Sequence, residues 1–122
     1  VNVRVGPGRE YPVEWTYYRA NLPVEIFQEY DVWRHIRDAE GTEGWVHQSV
    51  LSGKRHVMVM GTVQAIRAEP DEQAKPVAQL EPGVIAKILK CNEGYCQVQV
   101  QGYSGWIGKE HLWGVYASEL IK

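Results

Sequence analysis

Two cysteines stand closest to a covalent reading. Cys91 and Cys96 flank Asn92-Glu93-Gly94-Tyr95. A four-residue loop is a common hairpin connection, and it sets its flanking residues across from each other. Such cross-strand residues have Cα atoms about 4.5 to 5.5 Å apart, within the reach of a disulfide. The spacing therefore predicts a Cys91–Cys96 bond, adding roughly 2 kcal/mol in the loop-entropy model. That bond implies an oxidising compartment. The alternative is a pair of free thiols in a cytosolic protein. Zinc needs further ligands, and of the histidines only His111 follows the pair, so no metal is expected.

The other residues that do chemistry fall into no catalytic pattern. His35, His47, His56 and His111 make no pair at metal-ligand spacing, and no Gly-x-Ser-x-Gly elbow occurs. A Cys/His peptidase needs a free thiol beside a histidine, whereas these two cysteines are expected to bond each other. Carboxylates such as Glu40 and Glu43 lie in Gly-rich turns and read as solvated. The chain is expected not to be an enzyme and to carry no cofactor.

Aromatic rings offer a second kind of chemistry. There are five Trp and seven Tyr but one Phe, so nearly every ring has a polar tip on an apolar body. Such rings suit both strands and binding surfaces. The net charge of −2 lacks the basic excess that nucleic acid demands. No run approaches the roughly 18 apolar residues of a membrane-spanning helix.

The elements that must position these groups are strands. Gln97-Val98-Gln99-Val100-Gln101 alternates polar with apolar, and Pro23–Phe27, Val57–Met60 and Gly83–Leu89 read alike. Gly6-Pro7-Gly8, Glu40–Gly44, Asn92–Gly94 and Gln101-Gly102 supply turn chemistry between them. No sustained helical stripe occurs, so the chain is expected to be all-β. It also repeats itself. Gly44-Trp45-Val46 recurs 61 residues later as Gly105-Trp106-Ile107, and Val3-Arg4 recurs as Ile66-Arg67. A period this long marks two copies of a domain rather than a solenoid. The copies are placed at 1–55 and 57–122. Gly44 and Gly105 are expected to allow a close backbone passage, Gly6 and Gly8 to turn at positive φ, and Trp33, Trp45 and Trp106 to fill cores.

Asn2-Val3-Arg4-Val5-Gly6-Pro7-Gly8, Trp33-Arg34-His35-Ile36 and Gly44-Trp45-Val46 resemble the opening strand and the Trp core of bacterial SH3-like domains. The insert Glu14–Arg19, the Arg37-Asp38 pair and the ending Leu112–Tyr116 resemble exported tandem SH3-like proteins of Gram-negative bacteria. The resemblance implies two tandem small SH3-like β-barrels in the periplasm, reached by an export signal that does not stand in the sequence. It covers the first half throughout. The second half has Ala68-Glu69-Pro70-Asp71-Glu72 in place of the Gly-Pro-Gly loop and Cys96 where Trp33 is expected.

SH3-type barrels bind extended ligands across aromatic grooves. The expected groove comprises Tyr11, Trp15, Tyr17 and Asp31, with Glu29 adding charge for a peptide amine. The rings of Trp15–Tyr18 serve equally well to seal the junction of the two halves. The partner implied is peptidoglycan, through its peptides, or alternatively a peptide of an envelope protein.

Overall fold

Short alternating segments bounded by Gly, Pro and Asn build strands and nothing longer. The computed structural model describes all residues, Val1–Lys122. It holds twelve strands and two 3-10 turns, and no helix long and apolar enough to cross a membrane. The chain divides into two compact units, Val1–Gly53 and Lys54–Lys122.

The first unit has β1 (Asn2–Arg4), β2 (Val13–Thr16), β3 (Glu25–Tyr30), β4 (Trp33–Arg37) and β5 (Glu43–His47), then a 3-10 turn at Gln48–Val50. They form one antiparallel sheet in the order β2-β1-β5-β4-β3. Its core is Val3, Ile36 and Val46, with Trp15, Tyr17, Val24 and Leu51 packed against it. The second unit has β6 (His56–Val59), β7 (Gln64–Arg67), β8 (Pro76–Leu80), β9 (Ile85–Cys91), β10 (Tyr95–Val100) and β11 (Tyr103–Gly108). A 3-10 turn at Lys109–His111 and β12 (Leu112–Trp113) complete it. Its sheet runs β8-β7-β11-β10-β9-β6-β12. The first five strands of that order repeat the first sheet, strand for strand. Strands β6 and β12 extend it. Both ladders end in open edges, so the hydrogen bonding forms two open sheets and does not close into the two barrels expected.

The repeat extends to irregularities. Arg4 pairs with Trp45 as Arg67 pairs with Trp106. The register slips between Val3 and Arg4 and, equivalently, between Ile66 and Arg67. A residue bulges at Phe27 in β3 and at Leu89 in β9. Such bulges bend a sheet. Where β7 crosses β11, a Cβ on Gly105 would lie 2.9 Å from Ile66 Cβ and 3.0 Å from the Arg67 carbonyl oxygen. On Gly44 it would run into the Val3 side chain. The glycine before each Trp thus holds open a backbone passage.

Two sequence expectations need correction. Trp106 does not fill the second core. Strand alternation turns Gly105 and Ile107 inward and Trp106 outward, and it is half-buried with Lys90 Nζ 5.6 Å from its ring centroid. The counterpart of Trp33 is Tyr95, not Cys96. Trp33 pairs with His47 and Tyr95 with Gly108, and His47 and Gly108 both precede the 3-10 turns.

Cys91 and Cys96 are bonded, with Cα atoms 4.0 Å apart. Asn92 Oδ1 accepts from the amides of Gly94 and Tyr95, closing the hairpin. Both cysteines lie inside the second core with Val57, Val59, Ile66, Val98 and Ile107. The tail returns to them: Cys91 and Ile121 exchange both backbone hydrogen bonds. Arg55 holds the tail by a two-oxygen ion pair with Glu119 and by donating to the Gly114 carbonyl, 2.8 Å. Buried Lys109 donates to the Ala117 and Glu119 carbonyls. The Arg55 guanidinium holds the Glu119 carboxyl below the usual glutamate range.

A Cys91→Ala/Cys96→Ala variant should unfold in urea with about 2 kcal/mol less stability. Adding reductant should destabilise the wild type but leave this variant unchanged.

Candidate functional site

The loop after the first strand is built by an arginine. Arg4 Nη1 donates to the Tyr11 carbonyl at 2.8 Å and to the Arg9 carbonyl at 3.2 Å, and the Val5 amide donates to Pro12. The second unit repeats this frame with unrelated residues. Arg67 Nη1 donates to the Ala74 carbonyl at 2.9 Å, and the Ala68 amide donates to Lys75. Both loops are therefore closed by the same two contacts, and Tyr11 has Ala74 as its counterpart. The frame does not need a ring at that position. Gly6 and Gly8 are not among the positive-φ glycines, correcting the role expected of them. The bare Gly6 instead leaves room for the Tyr11 ring, which lies on it. Tyr11 is 40% exposed.

Trp15 and Tyr17 serve packing. Trp15 pairs with Val3 on β2, and both rings lie against the first core, meeting edge to face at 6.1 Å. The counterpart of Trp15 is Ala78, paired with Ile66, and Leu80 stands where Tyr17 does. Both pack in the second core. The Tyr17 hydroxyl donates to Asp38 Oδ2 at 2.7 Å. Asp38 Oδ1 in turn accepts from the amides of Glu40 and Thr42, both 2.9 Å, and so shapes the β4–β5 turn. Burial, then the Asp38 bond, pushes the Tyr17 phenol up to about 12. Sequence reasoning missed Asp38 in this role, because nothing local ties it to a tyrosine 21 positions away.

Glu29 and Asp31 lie at the other edge of the sheet. Asp31 turns the β3–β4 hairpin at φ 55°, and its carbonyl accepts from Arg34. The same guanidinium holds Glu29 at 3.4 Å and bonds Gln48. The five residues expected to share a groove are thus divided between the two ends of the strand order, with Tyr11, Trp15 and Tyr17 in or beside β2 and Glu29 and Asp31 in or just after β3. Trp15 and Tyr17 point to the core, and only Tyr11 combines an exposed ring with a rigid frame.

A third group of rings lies on the face of β3–β5 opposite Ile36 and Val46. Arg37 sits 4.6 Å above Phe27, Phe27 meets His35 at 4.3 Å, and His35 stacks flat on Trp45 at 4.5 Å and 10°. Trp33 meets His47 edge to face at 5.5 Å. Glu25 and Glu43 bracket Arg37 at 2.8 and 3.5 Å. Desolvation lowers the pKa of His35, with the Glu43 charge opposing the shift and the Arg37 charge adding to it. Trp33 and Trp45 are both buried, each 8% exposed, but on this outer face and not among Val3, Ile36 and Val46, which corrects the expectation that they fill that core.

With this geometry, the family comparison agrees. A model of the bacterial SH3 domain matches residues 1–53 and again 61–114. The chain belongs to the bacterial SH3 domain family. No curated protein matches it. Among solved structures it is similar to "NlpC1 from Trichomonas vaginalis", at 22% identity and a TM-score of 0.45 over 73% of this chain. The match spans 32% of that longer chain. Both bacterial SH3 copies thus keep the Arg-held loop, and the first alone has a tyrosine there.

Tyr17→Phe should cost about 1 kcal/mol, the worth of one hydrogen bond. The Tyr17 pKa is raised on folding, so its contribution is full below the ordinary phenol range near pH 10 and is lost as pH rises toward 12. A phenolate absorbance titration of the folded protein should show a late-ionising component that Tyr17→Phe removes.

Proposed function

We propose that this chain is a non-catalytic binding module of the cell envelope, which recognises peptidoglycan peptides through its first bacterial SH3 domain. The observation that carries this reading is the pair of matched loops. Arg4 and Arg67 build the same frame from different sequences, and Tyr11 is a ring the frame does not need. A rigid, half-exposed tyrosine costs little conformational entropy on binding and presents both an apolar face and a hydroxyl. Domains of this family commonly bind cell-wall material, which supplies the ligand class. The buried Cys91–Cys96 disulfide supports an oxidising location, and the periplasm is the compartment proposed. No His, Cys, Asp or Glu grouping suited to a metal occurs, and the ligand is expected to be held without one.

The second reading is a module for a peptide of an envelope protein. It draws support from Ile26, Phe27 and Tyr30, which stand exposed on the edge strand β3.

The test is co-sedimentation of the whole chain with purified sacculi. Wild type should pellet saturably, and Tyr11→Ala should weaken pelleting about tenfold or more with an unchanged unfolding midpoint. Trp15→Ala is unsuited, because that ring packs on the core. Absence of pelleting at high micromolar protein would remove the wall reading and leave the envelope-protein one.

A further inference from the structure

The two sheets differ at one edge, and the difference has a shape. In the second domain, β6 lies antiparallel on β9, with His56 opposite Lys87, Val57 opposite Ala86 and Met58 opposite Ile85. The Ile88 amide, just before the bulge at Leu89, donates to the Arg55 carbonyl at 2.9 Å. On its other side β6 pairs with β12 through Leu112 and Trp113. Val57 and Val59 are fully buried in the core there.

The shared register identifies the same slot in the first domain. Ile26 pairs with Ile36, and Ile36 with Gly44, as Ile88 pairs with Val98, and Val98 with Gly105. Ile26 is thus the counterpart of Ile88, Val24 of Ala86 and Glu25 of Lys87. Leu51, just after the 3-10 turn, corresponds to Leu112. No strand pairs with β3 on that side. The consequence is visible in burial. Ile88 is 6% exposed and Ile26 46%; Ala86 and Leu112 are buried, whereas Val24 and Leu51 are only half-buried. An apolar floor that one domain covers with a strand is left uncovered in the other.

The geometry points to β3 as a strand acceptor. Its occupant is an extended peptide of the β6 type, added antiparallel alongside Val24–Ile26 before the bulge at Phe27. The peptide would carry aliphatic residues two positions apart, at the places of Val57 and Val59, to cover the floor. Glu25 stands where β9 has Lys87, but Arg37 already holds it at 2.8 Å and Arg34 holds Glu29 at 3.4 Å, so the covering strand is specified by its main chain and its aliphatic pair rather than by charge. Main-chain hydrogen bonds would supply affinity and the two aliphatic side chains specificity, as in strand addition to other sheet edges. This surface is separate from the Tyr11 loop and does not depend on wall binding.

The probe is a blocked synthetic peptide with this chain's own sequence Lys54–Met60, titrated into the whole protein. Backbone amide shifts are followed by NMR. Saturable shifts centred on Val24–Phe27 are expected. Val57→Asp/Val59→Asp in the peptide, or N-methylation of alternate peptide amides in the hydrogen-bonding phase, should each weaken binding at least tenfold. Ile26→Asp in the protein, at an exposed position, should do the same while leaving the fold's spectrum unchanged. Three results would each overturn the proposal: no saturable shift at millimolar peptide, shifts centred on β9 instead, or binding indifferent to N-methylation in both phases.

Discussion

A small sheet can bend sharply only where two backbones are allowed to touch. In each domain that place is the glycine before the Gly-Trp tryptophan, where β1 crosses β5 and β7 crosses β11. At Gly105 the neighbours of an added Cβ are the Cβ of Ile66 and the backbone of Arg67, none of which can swing aside. Everything else follows from that passage. It sets the Arg4–Trp45 and Arg67–Trp106 pairs, which place an arginine at the root of the next loop. The arginine then holds the loop by its carbonyls, so loop sequence is free to vary. Val3 and Ile66 are fixed in the cores by the same crossing.

With the frame fixed, the domains diverge in what they hang on it. The first fills its small core with large amphipathic rings, Trp15 and Tyr17, where the second has Ala78 and Leu80. The second compensates with a larger aliphatic core, a disulfide within it, two added strands and a tail clasped by Arg55 and Lys109. A domain of about 60 residues is marginal by burial alone, and these additions make the second the better covered of the two. The first keeps an exposed tyrosine on its loop and an open apolar edge. Exposed apolar surface that a close homologue covers marks a surface kept for contact.

Much of this could be read from the residues because its causes are local. Alternation announces strands, the Gly-Trp recurrence announces the repeat, and a four-residue loop is enough to bring Cys91 to Cys96. The candidate groove was less legible, since it depended on which face each ring takes. Trp45 and Trp106 sit in near-identical words of sequence and take the same outward face, yet Trp45 is buried there by stacking on His35 while Trp106 faces Gln97 and Lys90 and stays half-exposed. Tyr17 spends its hydroxyl on Asp38, a partner no spacing rule reveals. Glu29 and Asp31 are close to Trp33 in sequence but belong to the opposite edge from Trp15. Trp33 aligns with Tyr95 because strand register, rather than ordinal position after the turn, sets equivalence.

The most direct test of this common construction is urea unfolding of Gly105→Ala and Gly44→Ala beside Gly53→Ala, whose added Cβ meets nothing within 4 Å. Overpacking a close passage costs about 1 to 3 kcal/mol, so Gly105→Ala should lose at least that much. Gly44→Ala should lose a comparable amount, since its added Cβ would overlap the side chain of Val3, which is fully buried in the first core. Gly53→Ala should stay within about 0.5 kcal/mol of wild type. Midpoints for Gly105→Ala and Gly44→Ala that match Gly53→Ala would contradict the account, because the crossing would then not be the constraint on which both domains are built.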